Sequence, residues 1–162
     1  MNIAFERTSE VKKTKKELEK NLDVEIDIKG KKVVAKGQPL NEYEATKVLD
    51  AINFGFSAKK ALSLKEENVV FRILNIKKFT KKKNLKVVRA RIIGKQGKTK
   101  KTIENISNAH IIIKDNEIGI IAQADSIEDI VTALTSLIRG TKQSNTYRYL
   151  EKFNRLKHEQ AL

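Results

Sequence analysis

Short runs of β-branched and apolar residues mark the second half of the chain. Residues 69–76, 109–114 and 117–122 are dense in valine and isoleucine. Runs of this length and composition predict three β-strands. Asp115 and Asn116 separate the last two runs, and both residue types favour a tight turn. The second and third strands are therefore predicted to pair.

Apolar residues at helical spacing lie between these strands. Residues 98–107 place two isoleucines on one face of a short predicted helix. Residues 85–93 are ambiguous, because their β-branched residues favour a strand while Leu85, Val88 and Ile92 fall at helical spacing.

A longer helix is predicted towards the end of this region. Ser126, with Asp129 three residues later, suits a helix start. Gly140 follows the last apolar position and is typical of a helix stop. Between them runs one apolar stripe, made of Ile127, Ile130, Val131, Leu134, Leu137 and Ile138.

The first half of the chain repeats this pattern at an offset of 85 residues. Residues 13–19 read Lys-Thr-Lys-Lys-Glu-Leu-Glu and align with Lys-Thr-Lys-Lys-Thr-Ile-Glu at residues 98–104. Strand-like runs follow in both copies, at residues 24–29 and 109–114. Two copies of one small unit are expected. The first copy should contain a strand at residues 2–5 and helices at residues 11–21 and 42–53.

These elements predict an α+β fold with two tandem domains, each a three-stranded antiparallel sheet backed by helices. The domains are expected at residues 1–64 and 65–141. A helical tail is expected at residues 142–162.

The charge of +14 is concentrated in one segment. Residues 77–101 hold 12 basic and no acidic residues, whereas residues 1–76 carry a net +3 and residues 102–162 a net −1. A local field of this kind is typical of a surface that binds a polyanion. A membrane-surface helix fits poorly, because Gly94 and Gly97 interrupt the segment and no aromatic face accompanies it.

Several other classes are disfavoured. The chain has no cysteine, which excludes disulfides and thiolate zinc sites. No run approaches the roughly 18 apolar residues of a membrane span, and no signal peptide is apparent, so a cytoplasmic protein is expected. The two histidines are isolated and no catalytic set is recognisable, so we expect neither an enzyme, nor a metal, nor a cofactor.

One motif inside the basic segment admits two interpretations. Gly97, Lys98 and Thr99 match the end of a nucleotide-binding P-loop, G-x-x-x-x-G-K-[ST]. The first glycine of that motif would stand at position 92, which is Ile92. A P-loop also follows a parallel strand, whereas a short helix and a hairpin are predicted here. Nucleotide hydrolysis is therefore disfavoured.

The second interpretation needs only Gly94-Lys-Gln-Gly97. Two glycines three apart let the backbone turn sharply and let a phosphodiester approach the backbone N–H groups. Lys95 and Lys98 add positive charge beside them. This is the GxxG loop with which KH domains clamp single-stranded nucleic acid.

The stretch Arg91-Ile-Ile-Gly-Lys-Gln-Gly-Lys-Thr-Lys-Lys-Thr-Ile-Glu104 resembles the KH signature, and the order of elements resembles a type I KH domain. Together with residues 55–62 and with Thr146-Tyr-Arg-Tyr-Leu-Glu151, it resembles the archaeal two-KH ribosomal RNA-processing family, whose eukaryotic relative is called partner of Nob. The likeness extends over nearly the whole chain.

The resemblance implies binding to small-subunit ribosomal RNA near its 3′ end during subunit maturation. It also implies contact with the endonuclease that trims that end, and with the alpha subunit of initiation factor two. In the first domain the GxxG positions are Ser9-Glu-Val-Lys12, so this domain departs from the family pattern and is expected to be a degenerate KH domain that packs or docks protein instead.

The predicted RNA-binding residues lie in and around the loop. For Arg89 and Arg91, contact with RNA competes with an ion pair to an acid of the first domain such as Asp27. Ile93 is either core or a flank of the base-binding groove. The complete set is Arg89, Arg91, Ile93, Gly94, Lys95, Gln96, Gly97, Lys98 and Lys101.

Two other functions stay open at this point. The protein could be a KH-type regulator that binds messenger RNA or single-stranded DNA, or a scaffold whose main ligand is a protein.

Overall fold

The computed structural model describes residues 1–161. The chain divides into two compact units, the first comprising Met1–Phe71 and the second beginning at Arg72. The predicted tail, residues 142–162, ends at Leu162, which lies outside the described residues.

The first unit is a three-stranded antiparallel sheet with helices. The strand order is β1-β3-β2, and both pairs are antiparallel. Its elements are β1 (Asn2–Ala4), α1 (Ser9–Leu22), β2 (Val24–Lys29), β3 (Lys32–Gly37), α2 (Pro39–Phe54) and the short α3 (Ala58–Ala61), with a 3₁₀ turn at Leu62–Lys65.

The core of the first unit follows from its periodicities. Val24 and Ile26 of β2 are buried while Glu25 and Asp27 are exposed, as in a half-buried strand. The sheet packs against apolar faces of α1 and α2. The buried side chains of these two helices include Val11, Leu18, Leu22, Val48, Leu49 and Ile52, and Phe56, which follows α2, is buried as well.

Residues 5–8 connect β1 to α1 directly. Among the described residues of this unit, no helix and no glycine turn separates the first strand from the helix that follows it. The positions aligned with Gly94 and Gly97, Ser9 and Lys12, lie inside α1.

The second unit repeats the strand order and has an additional helix, Leu85–Ile93, after its first strand. Its sheet runs β4-β6-β5, with β5 and β6 antiparallel. Its elements are β4 (Val69–Asn75), a 3₁₀ turn (Ile76–Lys78), α4 (Leu85–Ile93), a 3₁₀ turn (Lys95–Gly97), α5 (Lys98–Ser107), β5 (His110–Lys114), β6 (Glu117–Gln123), α6 (Ile127–Arg139) and α7 (Gln143–Ala161). The boundary between the units falls within β4.

The repeat is visible in the backbone as well as in the sequence. Three turns use a residue with positive φ at matching positions of the two copies, and each pair keeps the offset of 85 residues found in the sequence. The pairs are Asp23 with Asn108, Gly30 with Asp115, and Gly55 with Gly140. The two units therefore share their turn geometry, which supports their origin as one repeated unit.

The α+β prediction with two three-stranded antiparallel sheets is confirmed. Residues 85–93 form a helix, because Val88 and Ile92 then lie together on the buried side. The start of α6 was predicted correctly, but the Ser126 side chain does not cap it. Ser126 Oγ instead accepts a hydrogen bond from Lys157 Nζ at 3.0 Å.

The C-terminal helix α7 packs against α5 and α6 within the second unit. Leu150 and Thr146 are buried there, and Lys157 pairs with Asp129 of α6 at 3.1 Å. No helix within residues 1–161 has both the length and the apolar character needed to cross a bilayer.

Candidate nucleic-acid interface

Helix α4 leads directly into residues 94–97, which we call the glycine loop. Val88 and Ile92 anchor one side of the helix in the core, and its exposed side includes Lys86, Val87 and Ala90. Gly94 ends the helix, and its N–H donates to Ala90 O at 2.8 Å. The loop therefore starts from a fixed point on the core.

The loop itself is a tight turn built from three residues with positive φ. Gly94 has φ 77° and ψ 174°, a combination that is essentially restricted to glycine. Gln96 has φ 55° and Gly97 has φ 75°, and the Gly97 N–H donates to Gly94 O at 3.1 Å. Helix α5 begins at the next residue, Lys98.

The two glycines serve different purposes. A Cβ atom on Gly94 would lie 2.1 Å from Thr99 Oγ1 and 2.7 Å from the Thr99 backbone nitrogen. Thr99 is itself buried, so Gly94 allows α4 and α5 to approach each other. A Cβ atom on Gly97 would meet no atom within 4 Å. Gly97 therefore leaves open space beside the backbone at the start of α5.

The first turn of α5 is suited to an anion. Gly97 stands at the N-cap and has no side chain to occupy the first N–H groups, and no acidic residue lies in the first turn. The Lys98 N–H already donates to Lys95 O. The next N–H groups at the start of a helix lack intrahelical acceptors, and together with the positive end of the helix dipole they attract phosphate. The neighbouring side chains of Lys95, Gln96, Lys98 and Lys101 are exposed.

Ile93 lies at the edge of this site. Its side chain is 37% exposed, and Val87 on the same helix is 57% exposed. Ile92 and Ile111, by contrast, are buried in the core. Of the two roles considered for Ile93, this exposure fits the flank of a base-binding groove and not the core.

Arg89 is held by a partner within its own unit. Its Nη1 donates to Oδ1 of Asn116 at 2.8 Å, which ties α4 to the turn between β5 and β6. The competing partner considered from the sequence, Asp27, instead has Lys29 Nζ at 3.7 Å. One N–H of the guanidinium is thus engaged, and the predicted contact of Arg89 with RNA would use the remaining donors.

Arg91 is half-buried on the last turn of α4. Its Nη1 lies 3.2 Å from the point where a Cβ atom on Gly140 would stand. The absence of a side chain at Gly140 therefore lets the guanidinium pass the end of α6. This places Arg91 between the glycine loop and the C-terminus of α6.

Lys100 has a structural role that sequence reasoning missed. Its Nζ lies 2.8 Å from Glu104 Oε1 and donates to Ile111 O at 3.0 Å, while Glu104 Oε2 accepts the Ile111 N–H at 3.0 Å. The first unit has a counterpart of the backbone contact, from Ile26 N–H to Glu19 Oε1 at 3.1 Å. The alignment of Lys-x-x-x-Glu in the two repeats could have indicated this structural role from the sequence.

The second unit thus has the strand order, the interrupted helix pair and the exposed glycine turn of a nucleic-acid-binding KH domain. Residues 70–155 match the family model for the second KH domain of PNO1, described as a eukaryotic-type or type I KH domain. Because this match spans more than half of the chain, the chain belongs to that family, and the resemblance seen in the sequence is confirmed.

Curated relatives agree with this assignment. The KH domain-containing protein MJ0443 of Methanocaldococcus jannaschii is 28% identical over 145 residues, which cover 85% of this chain and 64% of the relative. The RNA-binding protein PNO1 of Oryzias latipes is 42% identical over 57 residues, covering 35% of this chain and 24% of the relative. The chain therefore spans under two thirds of the length of these relatives.

Solved archaeal structures resemble the full chain. Dim2p of Pyrococcus horikoshii is 30% identical with a TM-score of 0.83, and the match covers 94% of this chain and 98% of Dim2p. A complex of a/eIF2alpha, aDim2p and rRNA from the same organism contains a chain that is 29% identical with a TM-score of 0.82, covering 96% and 93% of the two chains.

Proposed function

We propose that this protein is a small-subunit ribosome assembly factor that holds single-stranded ribosomal RNA near its 3′ end through the second domain. The observation that carries the proposal is the open backbone at Gly97. It begins a helix with no capping side chain and no acid in its first turn. Lys95, Lys98 and Lys101 surround this backbone and are exposed.

Phosphate binding by this loop follows from elementary electrostatics. The N–H groups of the first turn of α5 point along the helix axis, and their dipoles add to the charge of the lysines. A sugar–phosphate strand can come close because Gly97 presents no side chain. Such contacts hold the strand without reading its sequence.

The bases of the strand require a second surface. The exposed side of α4 carries Val87, Ala90 and Ile93. Apolar surface next to the phosphate-binding loop allows unstacked bases to lie flat against the protein. KH domains bind single-stranded bases in a groove of this kind. In this proposal Arg89, whose Nη1 donates to Asn116 Oδ1, adds a guanidinium plane beside the bases.

The names of relatives and of a solved neighbour support the class of RNA and one protein partner. Relatives are named as RNA-binding and pre-rRNA-processing proteins, and aDim2p was solved together with rRNA and a/eIF2alpha. We extend these associations to this chain, with the alpha subunit of initiation factor two as a protein partner. From the resemblance seen in the sequence, we also propose contact with the 3′-end-trimming endonuclease. We also propose that this protein acts in the cytoplasm as a binding factor without catalysis, and that the first domain docks protein instead of RNA.

A matched pair of substitutions at position 97 tests the phosphate contact. Asparagine and aspartate both tolerate a positive φ, and a Cβ atom meets nothing at this position. Gly97→Asn and Gly97→Asp therefore differ in charge while both preserve the fold. We expect Gly97→Asp to bind a ribosomal 3′-end oligonucleotide about tenfold more weakly than Gly97→Asn, the equivalent of one lost charge-assisted hydrogen bond.

Fluorescence anisotropy with labelled RNA measures this difference. Equal affinities of the two variants would show that no phosphate lies beside Gly97. A competition with unrelated RNA and with DNA of the same length then tests the ribosomal assignment. If the competitors displace the labelled 3′-end fragment as well as the unlabelled fragment does, the protein is a general single-strand binder.

A further inference from the structure

The segment that precedes α4 is unusually basic for a connecting loop. We call residues 77–83 the lysine loop, because it contains Lys77, Lys78, Lys81, Lys82 and Lys83. All five side chains are exposed. Within residues 1–161, none of the five forms an ion pair with a carboxylate. The loop thus presents positive charge that no acidic side chain neutralises.

The base of the lysine loop is fixed to the core. Ile76 is fully buried, and its N–H donates to Asn116 O at 2.8 Å. The Lys77 N–H donates to Asn75 Oδ1 at 3.0 Å, and the Phe79 N–H donates to Ile76 O at 3.1 Å. These bonds hold the first turn of the loop in place, and with it the backbone of Lys77 and Lys78.

Two arginines connect the lysine loop to the glycine loop. The guanidinium of Arg139, the last residue of α6, lies over the ring of Phe79 at 6.0 Å. Gly140 follows at once, and its neighbour is the Arg91 guanidinium. Arg91 stands three positions before Gly94 in the chain. Arg91 beside Gly140, Arg139 over Phe79 and the lysines that flank Phe79 thus form a series of basic residues that begins near Gly94. We call this series the basic path.

Like charges at this density repel one another, and this repulsion lowers the stability of the folded domain unless a polyanion offsets it. A GxxG loop clamps about four nucleotides. The basic path extends beyond the loop, and its far end has no ligand if RNA stops there.

We propose that the lysine loop is a second phosphate-binding site, occupied by the nucleotides that continue past the glycine loop along Arg91 and Arg139. The inference rests on the proposed function, since it concerns the same bound RNA strand. The added contacts are to the sugar–phosphate backbone, so they lengthen the footprint and strengthen binding without adding sequence preference.

RNAs of two lengths distinguish binding at the glycine loop alone from binding at both sites. The probes are a short RNA of about four nucleotides, which the glycine loop can hold alone, and one of about ten nucleotides, which reaches the lysine loop. The test variant is Lys81→Gln/Lys82→Gln/Lys83→Gln. The matched control is Lys12→Gln/Lys13→Gln/Lys16→Gln, which removes the same charge from exposed positions of α1 in the first unit.

We expect the test variant to bind the longer RNA at least about tenfold more weakly than the native protein, and the short RNA with nearly native affinity. The slope of log affinity against log salt should become shallower by about 2 for the longer RNA, since each single-strand phosphate contact contributes about 0.7. The control variant should bind both the short and the longer RNA with nearly native affinity. Circular dichroism checks that both variants keep the native fold.

Three outcomes overturn the inference. The test variant could bind the longer RNA as the native protein does, it could weaken both lengths by the same factor, or the control could have an equal effect. The last two would indicate a diffuse field instead of a second site. The proposed function fails separately, if the native protein binds neither RNA or if Gly97→Asp binds the short RNA as tightly as Gly97→Asn.

Discussion

The loop glycines give contrasting predictions for stability, because only one of them is packed. Gly94→Ala would place a Cβ atom 2.1 Å from Thr99 Oγ1 and 2.7 Å from Thr99 N, in a backbone conformation with φ 77° and ψ 174°. The clash involves backbone as well as side chain, so a rotamer change at Thr99 cannot relieve it. Either the start of α5 or the end of α4 has to move.

The loss of unfolding free energy in Gly94→Ala can be estimated from two contributions. A non-glycine residue in this region of backbone space costs about 1–3 kcal/mol. Forcing an extra methyl group into a packed contact adds about 1–3 kcal/mol. We therefore expect Gly94→Ala to destabilise the second unit by about 4 kcal/mol. Gly97→Ala has only the cost of a left-handed conformation, about 1–2 kcal/mol, because a Cβ atom there meets open space.

Urea unfolding measures the difference. The chain has no tryptophan, and two of its three tyrosines, Tyr147 and Tyr149, lie in α7 of the second unit, so tyrosine fluorescence reports mainly on that unit. With a urea dependence of about 2 kcal/mol per molar, the midpoint should fall by about 2 M for Gly94→Ala and by less than about 1 M for Gly97→Ala. Equal shifts, or a larger shift for Gly97→Ala, would refute the different packing of the two glycines.

Three further predictions concern RNA binding, the hydrogen bond from Ile111 N–H to Glu104 and the C-terminal helix. Lys95→Asp/Gln96→Asp should abolish RNA binding in an anisotropy titration while leaving the circular dichroism spectrum unchanged, and retained affinity would favour the protein-scaffold function. Glu104→Ala should lower the free energy of unfolding by about 1–3 kcal/mol, because it leaves the partly buried Ile111 N–H without its acceptor. The loss should exceed that of Glu19→Ala, whose side chain is more exposed (30% against 16%). Urea unfolding followed by circular dichroism ranks the two, and the reverse order would contradict the comparison. Leu150→Ala should destabilise the second unit by about 2–5 kcal/mol, because the side chain is 4% exposed, and a loss under about 1 kcal/mol would show that α7 contributes little to that unit.

Much of the fold could be predicted because its signals are local. The apolar stripe that ends at Gly140 and the strand runs on either side of Asp115 each depend on residues close in sequence. The internal repeat added a second, independent view of the same elements. Residues 85–93 could not be assigned alone, because the burial that makes them a helix comes from packing against distant parts of the chain, including α6.

The candidate site could be located from the sequence but not resolved in detail. Spacing identified Gly94 and Gly97 as a pair, yet only coordinates distinguish the packed glycine from the open one. The bond from Arg89 to Asn116 joins residues 27 positions apart, so no local pattern reveals it. The stacking of Arg139 on Phe79 was missed for the same reason.

The most direct test is to observe the backbone amides of the loop while RNA binds. In a nuclear magnetic resonance titration of isotope-labelled protein with a single-stranded ribosomal 3′-end fragment, the amide signals of residues 95–100 should shift and reach saturation. Neutral methylphosphonate linkages in the same RNA should remove those shifts. Saturable binding that leaves these amides unchanged, or shifts that persist when the phosphate charge is removed, would contradict phosphate capture at Gly97.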